Sequence, residues 1–334
     1  MKPTIYDVAK AAGVSIATVS KVMNNTGNIR DTTREKVKKI MEKLNYQPSL
    51  MASALTGKGT ETLGLVVPDI SNPFFSEMAK TIEDRAHESG MSVIICSTDE
   101  NTEKEKKYIE LLQRKQVDGM IVASTFHDME ILKRVVDQKT PLVMLTQDDA
   151  GIGVTSISVD DFKGGLEATS HLISEGHRDI IMIAEYAKSS KFRIYGYIEA
   201  HEEHGLEVSE ENIFRTVASI ENGREVFRKI VQRGIVPTGI FACNDLIAVG
   251  VIQEAKEMGL KIPNDLSIVG YDNTILATTT VPGLTTIAQP ITEMGNRVVD
   301  VIISEIKDKN QTKERILFEP ELIIRGTTAV NKMR

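Results

Sequence analysis

Between residues 62 and 271 the chain repeatedly alternates short apolar runs with longer segments whose apolar residues fall on one helical face. A short, continuous apolar run is typical of a strand buried on both faces, and helices cover such strands in parallel sheets. The series occurs twice, first between residues 62 and 145 and again between residues 157 and 271. The pattern therefore predicts an α/β body of two doubly wound parallel-sheet subdomains. A later helix at 291–307 and a strand-like run at 321–325 should complete the two halves.

Two sheets of this kind leave a cleft between them, and ligands of open α/β sheets bind beyond the carboxyl ends of the strands. The segment after the first strand carries Asp69, Asn72, Phe74 and Phe75. The phenylalanines could stack on a sugar ring while Asp69 or Asn72 accepts hydrogen bonds from its hydroxyls. Asn72 could also cap the next helix, with Pro73 in its first turn. The two roles are compatible.

Asp160, or its neighbour Asp161, follows another predicted strand and is a further candidate for the ligand site. Capping of the next helix is an equally good interpretation, because an aspartate directly before a helix can accept from its free N–H groups.

Residues 4–24 contain two short helical patterns joined through Gly13. Thr4 stands three residues before Asp7, a spacing close to that of a capping box for the first helix. Ser15 is placed to cap the second helix, whose apolar positions fall on one face. This is the layout of a helix-turn-helix.

A third helix is predicted to begin near Asp31 or Thr32, because Thr32 and Glu35 have capping-box spacing, and to run to about Asn45. Residues 1–58 hold ten Lys/Arg and four Asp/Glu, so their net charge is +6. The whole chain carries −7, which leaves −13 on the remainder. A helical cap that only packs onto another element is the alternative, but a basic module on an acidic body favours phosphate binding. We therefore predict a DNA-binding module.

Several segments of this module resemble the headpiece of the LacI/GalR family of bacterial transcription regulators. They are Thr4-Ile5-Tyr6-Asp7-Val8-Ala9, Gly13-Val14-Ser15, Thr18-Val19-Ser20 and Thr33-Arg34-Glu35-Lys36-Val37, followed by Leu44-Asn45-Tyr46. The resemblance continues to about residue 328. It implies an N-terminal all-α helix-turn-helix headpiece with a hinge helix, then a periplasmic-binding-protein-like body. The expected divisions are the headpiece at 1–46, the hinge at 47–60, one subdomain of 61–160 plus 290–320, and the other of 161–289 plus 321–330.

The resemblance also implies which headpiece residues contact DNA. Ile16, Ala17 and Lys21 correspond to the positions that reach base edges in the major groove. Ile16 and Ala17 offer only apolar contacts, and Lys21 lacks the bidentate fork of the more usual arginine. The expected phosphate contacts are Thr4, Tyr6, Ser15, Thr18, Ser20 and Asn24. For Ser15, helix capping is the better interpretation.

In the family, paired hinge helices lie in the minor groove, and a leucine from each wedges into the central base step. Leu55 falls on that leucine. Ser49 and Leu50 differ from the Asn-Arg often found in this hinge, so its phosphate contacts should differ too. The alternative is a linker with a few stray apolar residues.

For the ligand site, Arg193 corresponds to an arginine that anchors ligand hydroxyls or carboxylates in the family, and a guanidinium presents a rigid fork of donors for that purpose. Asn244 and Asp272 match further ligand-contacting positions, and Gln289 is similar to a glutamine of ribose-binding proteins. Gln147 stands where ribose binders carry an arginine, which disfavours plain ribose. The expected effector is a sugar or sugar acid, with a nucleobase as the second choice.

Length and composition agree with a multidomain protein without a membrane span. A single core seldom serves a chain of 334 residues. The N-terminus lacks the apolar stretch of a signal peptide, so a cytoplasmic location is expected. Cys96 and Cys243 lie in apolar runs, which predicts buried free thiols.

An enzyme and a pure sugar-binding module are the rival classes. The sequence lacks a complete dinucleotide or P-loop fingerprint and the G-x-S-x-G and H-E-x-x-H motifs, so neither catalysis nor a cofactor is expected. His201 and His204 have metal-ligand spacing, but a solvated charged face is commoner and no metal is predicted. The basic headpiece disfavours a pure binding module.

The expected function is that of a sequence-specific transcriptional regulator, most simply a repressor, that binds a pseudopalindromic operator as a homodimer under small-molecule control. The helices at 73–89 and 102–115 are expected to supply the dimer contacts, as in the family. The alternative is a catabolite-control type regulator with a phosphorylated carrier protein as co-effector. That type uses arginines on a late helix, where this chain has Arg297 beside an acid.

Overall fold

The computed structural model describes residues 3–23, 26–46, 59–148, 151–308 and 310–332. Contacts divide the chain into two units, Met1–Thr60 and Glu61–Arg334. We call the first unit the headpiece and the second the body. Asn24 and the predicted hinge residue Leu55 lie outside the described residues.

The headpiece contains α1 (Ile5–Ala12), α2 (Ile16–Met23) and α3 (Asp31–Lys43). Gly13 has φ +65°, the left-handed conformation that ends α1 and turns the chain toward α2. The helices share a small apolar core, formed by Val8, Ala9, Ala12, Val19, Val22 and Val37. This arrangement confirms the predicted helix-turn-helix.

The two predicted capping boxes have different outcomes. Thr4 and Asp7 form the box of α1, with the Thr4 N–H donating to Asp7 at 2.8 Å. The box predicted for Thr32 and Glu35 is wrong, because α3 begins at Asp31 and Arg30 is the residue at its cap. Thr32 is therefore already inside the first helical turn.

The first sheet of the body has the strand order β11-β5-β4-β3-β1-β2, and all of its pairs are parallel. Its strands are β1 (Thr62–Val67), β2 (Ser92–Ser97), β3 (Gly119–Val122), β4 (Leu142–Leu145), β5 (Thr155–Val159) and β11 (Arg315–Phe318). Helices cover both faces, namely α4 (Pro73–Glu88), α5 (Thr102–Arg114), α6 (Glu130–Asp137) and α12 (Ile291–Lys307).

The second sheet has the order β12-β10-β9-β8-β6-β7. Its strands are β6 (Ile180–Glu185), β7 (Ile213–Thr216), β8 (Gly239–Ala242), β9 (Ser267–Asp272), β10 (Thr285–Ala288) and β12 (Glu321–Ile323). Its helices are α7 (Asp161–Ser174), α8 (Lys188–Glu203), α9 (Ile220–Gln232), α10 (Asp245–Glu257) and the short α11 (Ile275–Thr279). The strand β12 pairs antiparallel to β10, whereas the other pairs are parallel.

The fold class predicted from the sequence is confirmed, with that antiparallel edge strand as a difference. Among the helices and strands that the structure describes, β7, β10, β11 and α11 were not predicted. The strand β11 lies at the edge of its sheet and is partly exposed, so it lacks the continuous apolar run of the central strands. The spacing of apolar residues in the sequence predicts a helix around residues 194–204, and the structure begins this helix earlier, at Lys188.

Buried groups in the body refine two further predictions. Cys96 and Cys243 are both buried and unbonded to each other, as expected. His201 does not lie on a solvated face, because it is only 2% exposed and its ring packs on Tyr197 at a centroid distance of 4.4 Å. Across the described part of the chain, no helix combines the length and the apolar character needed to cross a membrane.

Candidate functional site

The outer face of α2 is exposed and available to a partner. Val19 and Val22 point into the core, and this leaves Ile16, Ala17 and Lys21 exposed. A helix with two apolar side chains and one cation on its free face can offer a methyl contact and a charge-assisted hydrogen bond. These are the three side chains expected to reach base edges.

The hydroxyl groups near the helix starts have partners within the headpiece. The Thr18 N–H donates to Oγ of Ser15 at 3.1 Å, and the two side-chain oxygens are 2.9 Å apart. Ser15 therefore caps α2, the role favoured for it. Tyr6 is 67% exposed, whereas Ser20 is half-buried.

The body contains a cavity of about 530 Å³ at the carboxyl ends of strands from both sheets. Eight of the ten residues predicted for the ligand site line it: Asp69, Asn72, Phe74, Phe75, Gln147, Arg193, Asp272 and Gln289. Because parallel strands end at one edge of a sheet, polar residues distant in sequence meet there.

The loop after β1 places its residues by local hydrogen bonds. Asn72 accepts from the Phe74 N–H at 3.1 Å and so caps α4 while it lines the cavity. Asp69 accepts from the Ser71 N–H at 2.8 Å, which fixes the turn. Phe74 and Phe75 pack edge to face at 5.0 Å. Asn72 therefore caps α4, as expected, and also lines the cavity.

Arg193 is held rigidly at the floor of the cavity. Its Nε donates to Oδ1 of Asp161 at 2.8 Å, another donor reaches the Cys243 carbonyl, and the guanidinium lies 3.6 Å from the centre of the Tyr271 ring. The Tyr271 hydroxyl donates to the same Asp161 oxygen at 3.2 Å. Burial raises the pKa of Asp161, while the charge of Arg193 opposes that shift.

Close packing of α7 against α8 brings Arg193 to Asp161. A Cβ on Gly196 would stand 2.1 Å from the Phe162 carbonyl oxygen, and one on Gly165 would stand 2.2 Å from the Arg193 carbonyl oxygen. Only glycine permits backbones to approach so closely. The two glycines therefore set the depth at which Arg193 lies.

Asp272 ends β9 and accepts from Nε2 of Gln289 at 2.6 Å. Its φ is +107°, a conformation that L-residues rarely adopt. Burial raises the pKa of Asp272 well above its ordinary value. A strained, buried carboxylate that faces a cavity is a candidate ligand-binding group.

Asp160 and Asn244 are not among the residues that line the cavity. Asp160 accepts from the Lys163 N–H at 2.9 Å, and Asn244 accepts from the Ile247 N–H at 2.8 Å. Both side chains cap helices, the alternative that was left open for Asp160. Asp161, the neighbour named with it, lines the cavity instead.

Glu185, Tyr186 and the pair Asp99 and Glu100 also line the cavity, although they were not predicted from the sequence. Glu185 is the last residue of β6 and accepts a hydrogen bond from Nδ2 of Asn244. The rule that selected Asp272, a polar residue at the end of an apolar strand, would have found Glu185 as well. Among the described residues no cluster of potential metal ligands occurs.

Residues 4–49 match the family model for bacterial regulatory proteins of the lacI family, and residues 169–328 match a periplasmic binding protein-like domain. The HTH-type transcriptional regulator DegA of Bacillus subtilis is 46% identical, over 98% of this chain and 99% of that protein. The HTH-type transcriptional repressor PurR of Pasteurella multocida is 36% identical, over 96% and 97%.

The crystal structure of the lac repressor dimer bound to operator and the anti-inducer ONPF superimposes with a TM-score of 0.87 at 28% identity, over 98% of this chain and all of that one. The relatives are regulators of transcription rather than enzymes. With a helix-turn-helix at one end and a lined cavity in its body, the chain belongs to the lacI family of bacterial regulatory proteins and is a DNA-binding regulator of transcription.

Proposed function

We propose that this regulator is a repressor that binds a pseudopalindromic operator as a homodimer, and that a small molecule in the body cavity controls its affinity for DNA. The observation that carries the proposal is the cavity itself, because eight residues selected for ligand contact meet around it. The lac repressor structure supports the assembly, because that protein is a dimer bound to both operator and an anti-inducer.

For the DNA contacts, the proposal assigns base readout to Ile16, Ala17 and Lys21, which the fold leaves exposed on α2. Phosphate contacts are assigned to Thr4, Tyr6, Thr18, Ser20 and Asn24, together with Ser15 as far as its capping role permits. A headpiece buries little surface alone, so two copies related by a two-fold axis would supply the affinity. Leu55 is proposed as the hinge wedge by resemblance only.

Selection of bound sequences from a randomised duplex library tests the DNA side. Full-length protein should enrich a two-fold symmetric site, and sedimentation should give a dimer under the same conditions. Enrichment of an asymmetric site, or binding by a monomer, would contradict the proposal.

A thermal-shift screen tests the ligand side, because a compound that binds only the folded state raises its apparent stability. A compound that raises the Tm should also change the affinity for the selected duplex. A compound that binds without changing that affinity would count against effector control.

Control by a phosphorylated carrier protein remains the alternative outcome. Its expected contact is Arg297 on α12, which lies 3.9 Å from Glu314. One helical turn away, Asp300 pairs with Arg85 at 2.7 Å. Acidic neighbours on this surface would repel a phosphoprotein, so we favour the small molecule.

A further inference from the structure

The body cavity is strongly acidic. Among the described residues it is lined by six carboxylates but only two Lys or Arg side chains, Lys188 and Arg193, beside the histidine His127; the carboxylates are Asp69, Asp99, Glu100, Asp161, Glu185 and Asp272. In formal charge, the six carboxylates exceed the Lys and Arg side chains by four. Lys188 is exposed to solvent, so its charge is better screened than that of buried Arg193.

The excess is greatest around Arg193, where three carboxylates share one guanidinium. Arg193 donates to Asp161 and to the Cys243 carbonyl. Glu185 and Asp272 instead accept hydrogen bonds from neutral amides, those of Asn244 and Gln289. Amides satisfy part of the hydrogen-bonding capacity of a carboxylate but do not balance its charge. We call Asp161, Glu185 and Asp272 the acidic cluster.

Burying charge without a counter-charge is costly, and a buried carboxylate escapes the cost by binding either a proton or a cation. Burial raises the pKa of all three cluster carboxylates. Glu185 and Asp272 are close enough that the charge of one raises the pKa of the other. Binding of a proton or another cation by the cluster is therefore energetically favourable.

Gln147 indicates, independently of the charges, that the cavity lacks a hydrogen-bond donor. Its side chain is 9% exposed and lines the cavity, and its amide nitrogen donates to the Ser124 carbonyl. Its amide oxygen has no hydrogen-bond partner within the part of the chain that the structure describes. A buried acceptor without a donor costs stability, so a ligand that fills the cavity should supply one.

We propose that the effector is a small polyhydroxylated amine, such as an amino sugar, whose ammonium group binds the acidic cluster and whose hydroxyl groups donate to the remaining acceptors. The assignment rests on the proposed effector function and narrows it. A neutral sugar would leave the charge of the cluster unbalanced. A sugar acid would add a negative charge to it, although sugar acids were among the ligands expected from the sequence.

Matched trios of hexosamine, hexose and hexuronate test the assignment, because the three members differ little in size but carry +1, 0 and −1. The panel contains the glucose, galactose and mannose series, each measured by thermal shift and calorimetry at pH 7.5 with the full-length protein. A hydrogen bond between charged groups is worth roughly tenfold or more in affinity. The hexosamine should bind at least about tenfold more tightly than its hexose, and the hexuronate should bind weakest.

Two variants separate charge from general disruption. Glu185→Gln keeps an oxygen for Asn244 but removes a charge, so it should raise the Tm of the ligand-free protein and reduce the preference for the amine. Asp161→Asn is the matched control. It also removes one cluster charge, but it deprives Arg193 of its partner and should lower the Tm.

The outcomes distinguish this assignment from effector control as such. If hexoses or hexuronates bind more tightly than hexosamines, the effector is not an amine, but effector control as such is not contradicted. An amine preference that is as large in Glu185→Gln as in the wild-type protein would also overturn the assignment to the cluster. If none of the nine compounds binds and Glu185→Gln has the same Tm as the wild-type protein, the result would count against both the amine and the proposed function.

Discussion

At the scale of single residues, the pair of Arg193 and Asp161 shows how stability and binding depend on the same atoms. Arg193 is 5% exposed and Asp161 is 8% exposed. A buried ion pair adds little net stability, but removing one partner leaves an unpaired charge that costs about 3–5 kcal/mol. The free energy of unfolding and the ligand response should therefore fall together in any variant that breaks the pair.

We predict that Arg193→Ala lowers the free energy of unfolding by about 3 kcal/mol or more and eliminates the ligand-induced change in DNA affinity. Urea unfolding and fluorescence anisotropy with the selected duplex measure the two effects. The double variant Arg193→Met/Asp161→Asn is the control, because it removes the unpaired carboxylate and should recover most of the stability without the response. A normal ligand response in either variant would show that Arg193 does not belong to the ligand site.

His177 gives a prediction for pH. Its ring is 3% exposed, with Nε2 3.2 Å from the Ala329 carbonyl oxygen, and burial lowers its pKa. The unfolded chain, in which the ordinary pKa is about 6.5, then binds the proton more readily than the folded chain. The free energy of unfolding contributed by His177 is therefore fully present above that pH and declines as the pH falls toward the folded pKa.

Urea unfolding at pH 8 and pH 5.5 should show a smaller pH dependence in His177→Gln than in the wild-type protein. Burial also lowers the pKa of His171 and His201, so part of the wild-type dependence should remain. The buried carboxylates act in the opposite direction, which is why the comparison of variant with wild type is informative. Equal pH dependence in both proteins would refute the assignment.

At the scale of elements, two helix pairs pack through glycine. Gly196 lies in the contact of α8 with α7, and a Cβ there would stand 2.1 Å from the Phe162 carbonyl oxygen. Gly250 lies in the contact of α10 with α9, and a Cβ there would stand 2.2 Å from the Ile220 carbonyl oxygen. The two sites are equally tight, but only α8 carries Arg193.

Gly196→Ala and Gly250→Ala should each destabilise the body by about 1–3 kcal/mol, because the added methyl forces the helices apart. Only Gly196→Ala should also weaken ligand binding, by about tenfold, since it moves Arg193 away from the cavity. Thermal unfolding and calorimetry of the two variants provide the comparison. An equal loss of affinity in both would show that binding responds to stability rather than to the position of α8.

Strands with a continuous apolar run and helices with a suitable capping residue could be predicted from the sequence. The strand β11 and the site residue Asp160 show why other features could not. The edge strand β11 is partly exposed, so its pattern carries no signal of burial. Asp160 and Asp161 are adjacent and chemically alike, and only the direction of the first turn of α7 sends one to a cap and the other into the cavity. Glu185 ends the apolar strand β6 and could have been selected from the sequence; the hydrogen bond from Asn244 and the influence of the Arg193 charge could not, because both partners are distant in sequence.

At the scale of the whole molecule, control by an effector is a coupling free energy between the cavity and the DNA-binding face. A ligand can shift the protein between two states only by the difference in its affinity for them. If the ligand changes the affinity for DNA by some factor, DNA must change the affinity for the ligand by the same factor. This reciprocity holds whether the ligand releases the operator or promotes its binding.

We therefore predict that a saturating concentration of the selected duplex changes the Kd of the best ligand by the factor that this ligand applies to operator binding. Allosteric couplings of this kind usually amount to about 5–150-fold. Lys21→Ala is the matched control, because Lys21 is exposed on α2 and forms no part of the cavity lining. Without DNA it should bind the ligand as the wild type does, and the same duplex concentration should change its ligand Kd less. Factors that disagree beyond error would mean that the two measurements report different binding events, and the cavity would then not be the site through which the ligand acts on DNA.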